Sequence, residues 1–492
     1  MRKIVVVGAG MVGHRFVQEL LALDESHEVV LLGDEHHQPY NRVLLSEVVA
    51  GRAEVTGLAL PALEGADVRL GSPVVDVDRR RRAVRTREGR TFEYDHLVLA
   101  TGARARVAAL PGLLDPEGEL VGGTHVLRTV DDARAILAGS ANARRVTVVG
   151  AGAIGLEVAC GLRHRGVDVT LVASRDAVLD RELGDAGGRV AATTVRDTGV
   201  RLLARSTVST VVQERGRITA VRLSDGRRLP TDLLVLSVGS IPETTLAARS
   251  GLATKGGVVV DTSLSTDDPS ISAIGDCART PQGTSGLVAQ GWEQAGALAR
   301  LLDRGETTPA RSTTASAMRL KAVGMSAVSM GVRPEAAEPS DRVLTLDDSR
   351  ARRHVDIVVR RGTLVGLTCV GAPDVAARLS TLLDRPGVIP ADPLQLLTAD
   401  PGELDVSPAT LPATSTVCRC NGVSKGDVVA AWDAGHRGVD DIADATRATT
   451  GCGGCTTAVC SLIEWLQERA QDDATASSHV VGANREPSVS VG

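Results

Sequence analysis

A strand–turn–helix signature occurs twice in this chain, and its repetition restricts the fold more than any other feature. Residues 3–13 read Lys-Ile-Val-Val-Val-Gly-Ala-Gly-Met-Val-Gly, an apolar run of the kind a buried parallel strand needs, closing on a GxGxxG turn that enters a helix near Val12. Gly8 permits the tight turn, Gly10 lets a pyrophosphate approach the backbone, and Gly13 lets helix and strand pack closely. The helical stretch to Leu23 is followed by a second strand, Glu28 to Leu32, and then Asp34-Glu35, where the Glu35 carboxylate can accept hydrogen bonds from an adenosine ribose. An ordinary βαβ turn is the plain alternative, and the second strand with its terminal carboxylate weighs against it. Residues 145–157 repeat the pattern with Gly150, Gly152 and Gly155, so the chain is expected to hold two dinucleotides.

With 492 residues there is room for about three or four domains. Two Phe, two Tyr and three Trp mean that the cores are built from Val, Leu, Ile and Ala, and that an aromatic platform for stacking bases is not expected. The net charge of -5 is spread along the chain without a block of one sign, so neither nucleic acid nor a membrane surface is indicated. No apolar run approaches the ~18 residues that a membrane span requires. The first strand begins at Lys3, which leaves no room for a signal peptide, and a cytoplasmic location is expected.

Eight cysteines in a reducing compartment point to metal ligation or redox work rather than to disulfides. Four of them are clustered as Cys418 and Cys420, then Cys452 and Cys455. Four thiolates suit either structural zinc or an iron–sulfur cluster, and their spacing leaves both open. Cys160, Cys277, Cys369 and Cys460 stand alone and read as small packing residues.

Two further segments, Leu97-Val-Leu-Ala-Thr-Gly-Ala103 and Ile271-Ser-Ala-Ile-Gly-Asp-Cys277, are buried-strand patterns ending in small residues or a carboxylate. With them the sequence resembles the FAD-dependent pyridine-nucleotide oxidoreductases of the two-dinucleotide-fold type. The resemblance implies FAD and NAD(P)H as cofactors, with an NAD(P)-binding domain inserted into the FAD domain. It places Thr101 and Gly102 against the flavin, Asp276 on the ribityl chain, and Arg42 of Pro39–Ser46 near the FAD pyrophosphate. Glu157 corresponds to the glutamate beside nicotinamide and flavin and is the catalytic candidate; a purely structural pairing role is the alternative.

The second NAD(P)-domain strand, Val169–Val172, runs into Ala173-Ser174-Arg175, whereas NADH-preferring relatives usually carry Glu at position 173. Without that carboxylate, Ser174 and Arg175 can hydrogen-bond a 2′-phosphate, and NADPH is the expected donor. No CxxxxC pair occurs along residues 36–56, so the disulfide-reductase chemistry of the superfamily is not expected. Relatives that reduce soluble ferredoxins usually have Lys after the Leu-Ser pair. This chain has Glu47 there, which puts in doubt a salt bridge between that position and Glu157.

The expected fold class is α/β: two Rossmann-like domains, an α+β interface domain and a small helical [2Fe-2S] domain. The FAD domain takes residues 1–115 and 240–305, the NAD(P) domain 116–239 and the interface domain 306–385. In the last, strands are expected over His354–Val359 and Thr363–Val370 and a helix over Pro373–Leu383, with no visible chemistry; it resembles the flavin half of NAD(P)H nitrite reductase large subunits. Residues 386–416 read as a mobile linker with a short helical piece near Pro393–Leu397, residues 417–470 as the cluster module, and 471–492 as a disordered tail. The module should form helices over Ser424–Ala434, Asp440–Ala448 and Thr457–Arg469, with Ser424 and Asp440 as N-caps.

The CxC pair, the long helical spacer and the Thr446–Cys455 run resemble the bacterioferritin-associated-ferredoxin-like [2Fe-2S] domain. That resemblance selects the iron–sulfur reading and Cys418, Cys420, Cys452 and Cys455 as ligands, with the Gly451, Gly453 and Gly454 backbone donating to the sulfurs. The cofactor order then implies electron flow from NAD(P)H through FAD and the cluster to a redox partner protein. The catalytic subunit of an assimilatory nitrate reductase is the first expectation. A donor to a monooxygenase or to stored ferric iron, and a non-catalytic redox or iron sensor, are the alternatives. Nitrite reductase large subunits continue into a sirohaem half, so this chain is not expected to reduce nitrite unaided.

Overall fold

The computed structural model describes residues 2–24, 26–284, 286–306, 317–384, 389–390, 392–398, 411–418, 421–450 and 455–482. The chain divides into two compact units, residues 1–399 and 400–492.

The first unit contains two five-stranded parallel sheets of the same design. One has the strand order Ile271–Ala273, His96–Leu99, Lys3–Val7, Glu28–Leu32, Ala66–Arg69. The other runs Arg201–Leu203, Asp168–Val172, Arg145–Val149, Leu233–Leu236, Thr124–Val126. Parallel sheets are covered on both faces, so their central strands must be apolar throughout. Ile4, Val5, Val6, Leu97, Val98, Leu233, Leu234 and Val235 are accordingly buried. In each sheet the central strand leads into a glycine turn and a helix, Met11–Leu23 or Ala153–His164. The chain passes between the two sheets beside an antiparallel pair, Ala103–Ala105 with Ser240–Pro242.

A third sheet is antiparallel, with the order Ala317–Leu320, Ala327–Gly331, Thr363–Val370, Arg353–Arg360, Arg342–Asp348. The helix Pro373–Asp384 covers it, as does Asp180–Asp197 from the second parallel domain. Leu320, Ala322, Met325 and Ala327 share one core with Leu45, Val48 and Val49 of helix Leu45–Ala50 and with Leu156 and Val158 of helix Ala153–His164. All three sheets' domains therefore contribute to a common apolar junction.

Part of the stretch expected as a mobile linker is packed instead. Ile389, Leu396 and Leu397 are buried, the helix Gln395–Thr398 forms, and the Arg378 guanidinium donates to the Leu396 carbonyl at 3.0 Å. A Pro- and Asp-rich composition masked three apolar side chains that find a surface to bury. Residues 411–415 belong with the second unit, where the Ser415 and Ala413 carbonyls accept from the backbone N–H groups of Lys425 and Gly426 at 2.8 and 2.7 Å. Residues 386–388, 391 and 399–410, the remainder of the expected linker, lie outside the described residues.

In the second unit a short antiparallel pair, Thr416–Cys418 with Val423–Ser424, precedes helices Lys425–Asp433, Val439–Thr446 and Thr456–Gly482. Val428, Trp432, Ile442, Val459, Leu462 and Leu466 form its core. Ser424 caps the first helix as expected, accepting from the Asp427 N–H while the Asp427 carboxylate accepts from Ser424. The second cap is Gly438 rather than Asp440: the Asp441 carboxylate reaches back to the Gly438 N–H at 3.1 Å, which starts the helix two residues earlier. The last helix continues to Gly482, past the expected end at Arg469 and into the stretch expected to be disordered from Gln471. The Gln467-Glu-Arg-Ala-Gln471 run and the alanines after it are good helix formers. Residues 483–492 of the expected tail lie outside the described residues.

Candidate active site and cofactor sites

The six turn glycines divide into two kinds. Gly8 has φ +115°, and a Cβ there would lie 2.1 Å from the Ala100 carbonyl oxygen; a Cβ on Gly13 would lie 2.1 Å from the Gly8 oxygen. The second turn repeats this, with Gly150 (φ +107°) against Ser237 O at 2.1 Å and Gly155 against Gly150 O at 1.9 Å. These four glycines are required by the chain's own packing. The middle glycines are not: the nearest atom to a Cβ on Gly10 is Arg42 Nε at 3.9 Å, and nothing lies within 4 Å at Gly152. Each is the N-cap of its helix and provides no capping side chain, so the positive helix end faces open space. That cradle fits a pyrophosphate in both domains.

Around the first turn the structure gathers three of the expected residues into one network and adds two. The Glu35 carboxylate accepts from the Tyr40 hydroxyl at 2.8 Å and pairs with the Arg42 guanidinium. Arg42 lies over the Tyr40 ring at 4.8 Å and donates to the Arg128 carbonyl at 3.2 Å. Arg128 in turn pairs with Asp276 at 2.7 Å. Burial pushes the Tyr40 phenol well above its ordinary value, so it stays protonated and serves as a donor. Thr101 donates its hydroxyl to the Glu243 carbonyl at 2.8 Å, and Gly102 has φ +71° with Arg128 Nη2 nearest to its missing Cβ. Thr101, Gly102 and Asp276 thus follow adjacent strands of the first sheet, and Arg128 reaches Asp276 from the end of strand Thr124–Val126 in the second. Tyr40 and Arg128 were not legible as site residues. Thr129-x-x-Asp132 is a capping box that announces the helix Val130–Asn142, but it gives no hint of what the preceding arginine pairs with.

Glu157 is buried on helix Ala153–His164 and accepts three hydrogen bonds. Ser46 donates its hydroxyl to Oε2, while the Lys321 backbone nitrogen and Nζ donate to Oε1 at 2.9 and 2.8 Å. The doubt raised by Glu47 therefore has a definite answer. Position 47 does not pair with Glu157; it pairs with Arg52 at 2.7 Å, and burial raises the Glu47 carboxyl above its ordinary value. The cation comes instead from residue 321, so the interface domain, expected to carry no chemistry, supplies a charged side chain to this carboxylate.

Ser174 and Arg175 are exposed immediately after the strand Asp168–Val172. Arg175 pairs with Asp180 at 3.1 Å, its side chain 71% accessible. In the second unit Cys418 and Cys455 are both buried, and Cys455 Sγ accepts from the Thr449 N–H at 3.2 Å, the kind of donor that a ligating thiolate needs. The Asn421 side-chain amide donates to the Arg447 carbonyl at 2.6 Å and to Thr450 Oγ1 at 3.1 Å, tying together the segments that lead to the two cysteine pairs. Cys420, Cys452 and the three glycines between Gly451 and Gly454 lie outside the described residues. Burial pushes the Cys160 and Cys369 thiols up to about 11 and raises Cys277, which leaves these three as inert packing residues.

Two dinucleotide cradles joined by a buried carboxylate, with a separate thiolate-bearing module, define a pyridine-nucleotide flavoprotein carrying an iron–sulfur centre. The chain belongs to the pyridine nucleotide-disulphide oxidoreductase family, whose model matches residues 2–295, and a BFD-like [2Fe-2S] binding domain matches residues 416–465. It is 30% identical over 97% of its length to a nitrite reductase [NAD(P)H] of Bacillus subtilis. It is likewise 30% identical over 94% of its length to the assimilatory nitrate reductase electron transfer subunit of the same organism. The chain spans 59% and 60% of the lengths of these two relatives. Among solved structures, a ferredoxin reductase for the CYP199A2 system from Rhodopseudomonas palustris superposes with a TM-score of 0.70 at 28% identity, covering 81% of this chain and 98% of that one. The protein is an NAD(P)H-dependent oxidoreductase with FAD and a [2Fe-2S] cluster as cofactors. Among the described residues no helix is long and apolar enough to cross a membrane.

Proposed function

We propose that this chain moves electrons from NADPH to the catalytic subunit of an assimilatory nitrate reductase. When bound, NADPH supplies a hydride, FAD accepts its two electrons, and the [2Fe-2S] cluster takes them one at a time. The open face at Gly10 and the helix behind it hold the FAD pyrophosphate; Glu35, which keeps free lone pairs beside Tyr40 and Arg42, accepts from the adenosine ribose. Asp276, steadied by Arg128, takes the ribityl hydroxyls, and Thr101 and Gly102 lie along the flavin. Gly150, Gly152 and Gly155 receive the nicotinamide dinucleotide, with Ser174 and Arg175 on the 2′-phosphate. Glu157 is the polar group that orients the hydride donor. Cys418, Cys420, Cys452 and Cys455 hold the cluster.

The observation that carries this reading is that the [2Fe-2S] module is part of the same chain. The ferredoxin reductase is matched almost end to end by 81% of this chain, which favours a fused cluster as the exit here over a separate ferredoxin. Reconstitution tests it. NADPH, this protein and the candidate nitrate reductase subunit should convert nitrate to nitrite, and omission of this protein should abolish the conversion. Efficient reduction of a free ferredoxin, with no nitrite formed in the reconstituted system, would assign it to a monooxygenase donor instead.

A further inference from the structure

Each element packed around the Glu157 carboxylate brings a polar or charged side chain into an otherwise apolar junction. Helix Leu45–Ala50 brings Ser46, whose hydroxyl donates to Oε2, and Glu47, whose charge is taken by Arg52. Its own helix brings Cys160, a protonated thiol one turn on. The interface domain brings Lys321, which directs both its backbone nitrogen and its ammonium to Oε1, with the two side chains only 10% and 3% accessible. Arg52 also donates to the Lys321 carbonyl, so one guanidinium fastens both Glu47 and the backbone of Lys321. Leu320 and Ala322 on either side of Lys321 are buried in the junction core.

We propose that Lys321 is a positioning residue for hydride transfer: it pairs with the Glu157 carboxylate and holds it in one orientation, and thereby couples the geometry beside the flavin to the docking of the interface domain. The proposal rests on the reading of Glu157 as the group beside nicotinamide and flavin. A buried carboxylate keeps its charge only when paired and hydrogen-bonded. Ser46 Oγ and the Lys321 backbone N–H are neutral donors, so removing the ammonium leaves the buried Glu157 carboxylate without its charge partner and with fewer contacts to fix its orientation. In this chain the cation is delivered from outside the two dinucleotide domains, and loosening of the interface domain has the same effect as losing the lysine.

The test uses holoprotein variants Lys321→Gln, Lys321→Arg, Glu157→Gln and the double variant Lys321→Gln/Glu157→Gln. Flavin reduction by saturating NADPH should slow at least ~10-fold in Lys321→Gln, an effect of the size that positioned groups contribute, with recovery in Lys321→Arg and little change in nucleotide affinity. The visible spectrum of the bound flavin should shift in Lys321→Gln and return to the wild-type form in Lys321→Arg, because the ammonium fixes the carboxylate beside the flavin. Thermal unfolding of each variant separates misfolding from lost positioning, and a folded Lys321→Arg provides the comparison if Lys321→Gln is unstable. A wild-type rate and a wild-type flavin spectrum in folded Lys321→Gln overturn the proposal. If Glu157→Gln itself reduces its flavin at the wild-type rate, the reading of Glu157 fails and the proposal falls with it; if Glu157→Gln is slow and Lys321→Gln is not, only the role of Lys321 is refuted.

Discussion

Alanine at Gly155 and alanine at Gly152 should damage different things, although the two positions share a turn. At Gly155 the added carbon would lie 1.9 Å from the Gly150 oxygen, 3.1 Å from its carbon and 3.3 Å from the Ser237 Cβ. Carbon and oxygen at rest are more than 3 Å apart, so the helix Ala153–His164 must retreat from its strand by roughly 1 Å or more. Forcing such overpacking costs about 1–3 kcal/mol, and more where both partners are backbone. For a domain of this size that corresponds to a fall of roughly 5–10 °C in Tm. Gly152 has φ −77° and ψ 179°, a conformation open to alanine, and nothing within 4 Å of the new methyl. Its folding cost is a weaker N-cap set against a stiffer unfolded chain, a net effect within about 1 kcal/mol. The methyl instead occupies the place where the pyrophosphate meets the helix end, and NADPH affinity should fall ~10–100-fold, about 1.4–2.7 kcal/mol. Thermal unfolding and calorimetric NADPH titration of both variants separate the two effects. Wild-type NADPH affinity in Gly152→Ala, or a wild-type Tm in Gly155→Ala, would refute the division of the turn into packing and ligand glycines.

Three other outcomes follow from the site and the core. Burial lowers His96 from its ordinary 6.5 to about 4, so the stability it contributes is full above pH 6.5 and is lost as the pH falls towards 4; this amounts to about 3 kcal/mol, and His96→Gln should flatten that part of a stability–pH curve. If Arg175 takes the 2′-phosphate as proposed, Arg175→Ala should raise KM for NADPH ~10-fold or more and leave KM for NADH nearly unchanged; equal effects on both nucleotides would remove Arg175 from the phosphate site. Cys455→Ser should abolish the cluster's visible absorbance and about half or more of the bound iron while NADPH still bleaches the flavin; an intact cluster spectrum would exclude Cys455 as a ligand.

The parts of this protein that were legible in the sequence are those encoded locally. The strands Lys3–Val7, Glu28–Leu32 and Arg145–Val149 and the helices that follow the glycine turns are written in contiguous apolar runs and short spacings. Ser424 is a cap because the aspartate that completes the box lies three residues on. Lys321 and Arg128 are different in kind. Their partners, Glu157 and Asp276, are 164 and 148 residues away in the chain, and no local pattern distinguishes a lysine that meets a buried carboxylate from one that meets water. Glu47 correctly signalled that the neighbouring cation was missing from its usual place, without showing that another domain replaces it. Leu396 illustrates the converse: a Pro- and Asp-rich setting implies exposure, yet the fold offers a surface that buries its side chain completely.

Anaerobic rapid mixing of the intact protein with NADPH, following flavin absorbance and the paramagnetic signal of the reduced [2Fe-2S] centre together, shows whether electrons entering on NADPH leave through the cluster by way of FAD. Flavin bleaching should come first, the cluster signal should rise afterwards, and FAD-depleted protein should give no cluster signal. Full flavin reduction with a cluster that stays oxidised, or a cluster reduced by NADPH at the same rate without FAD, would contradict that route.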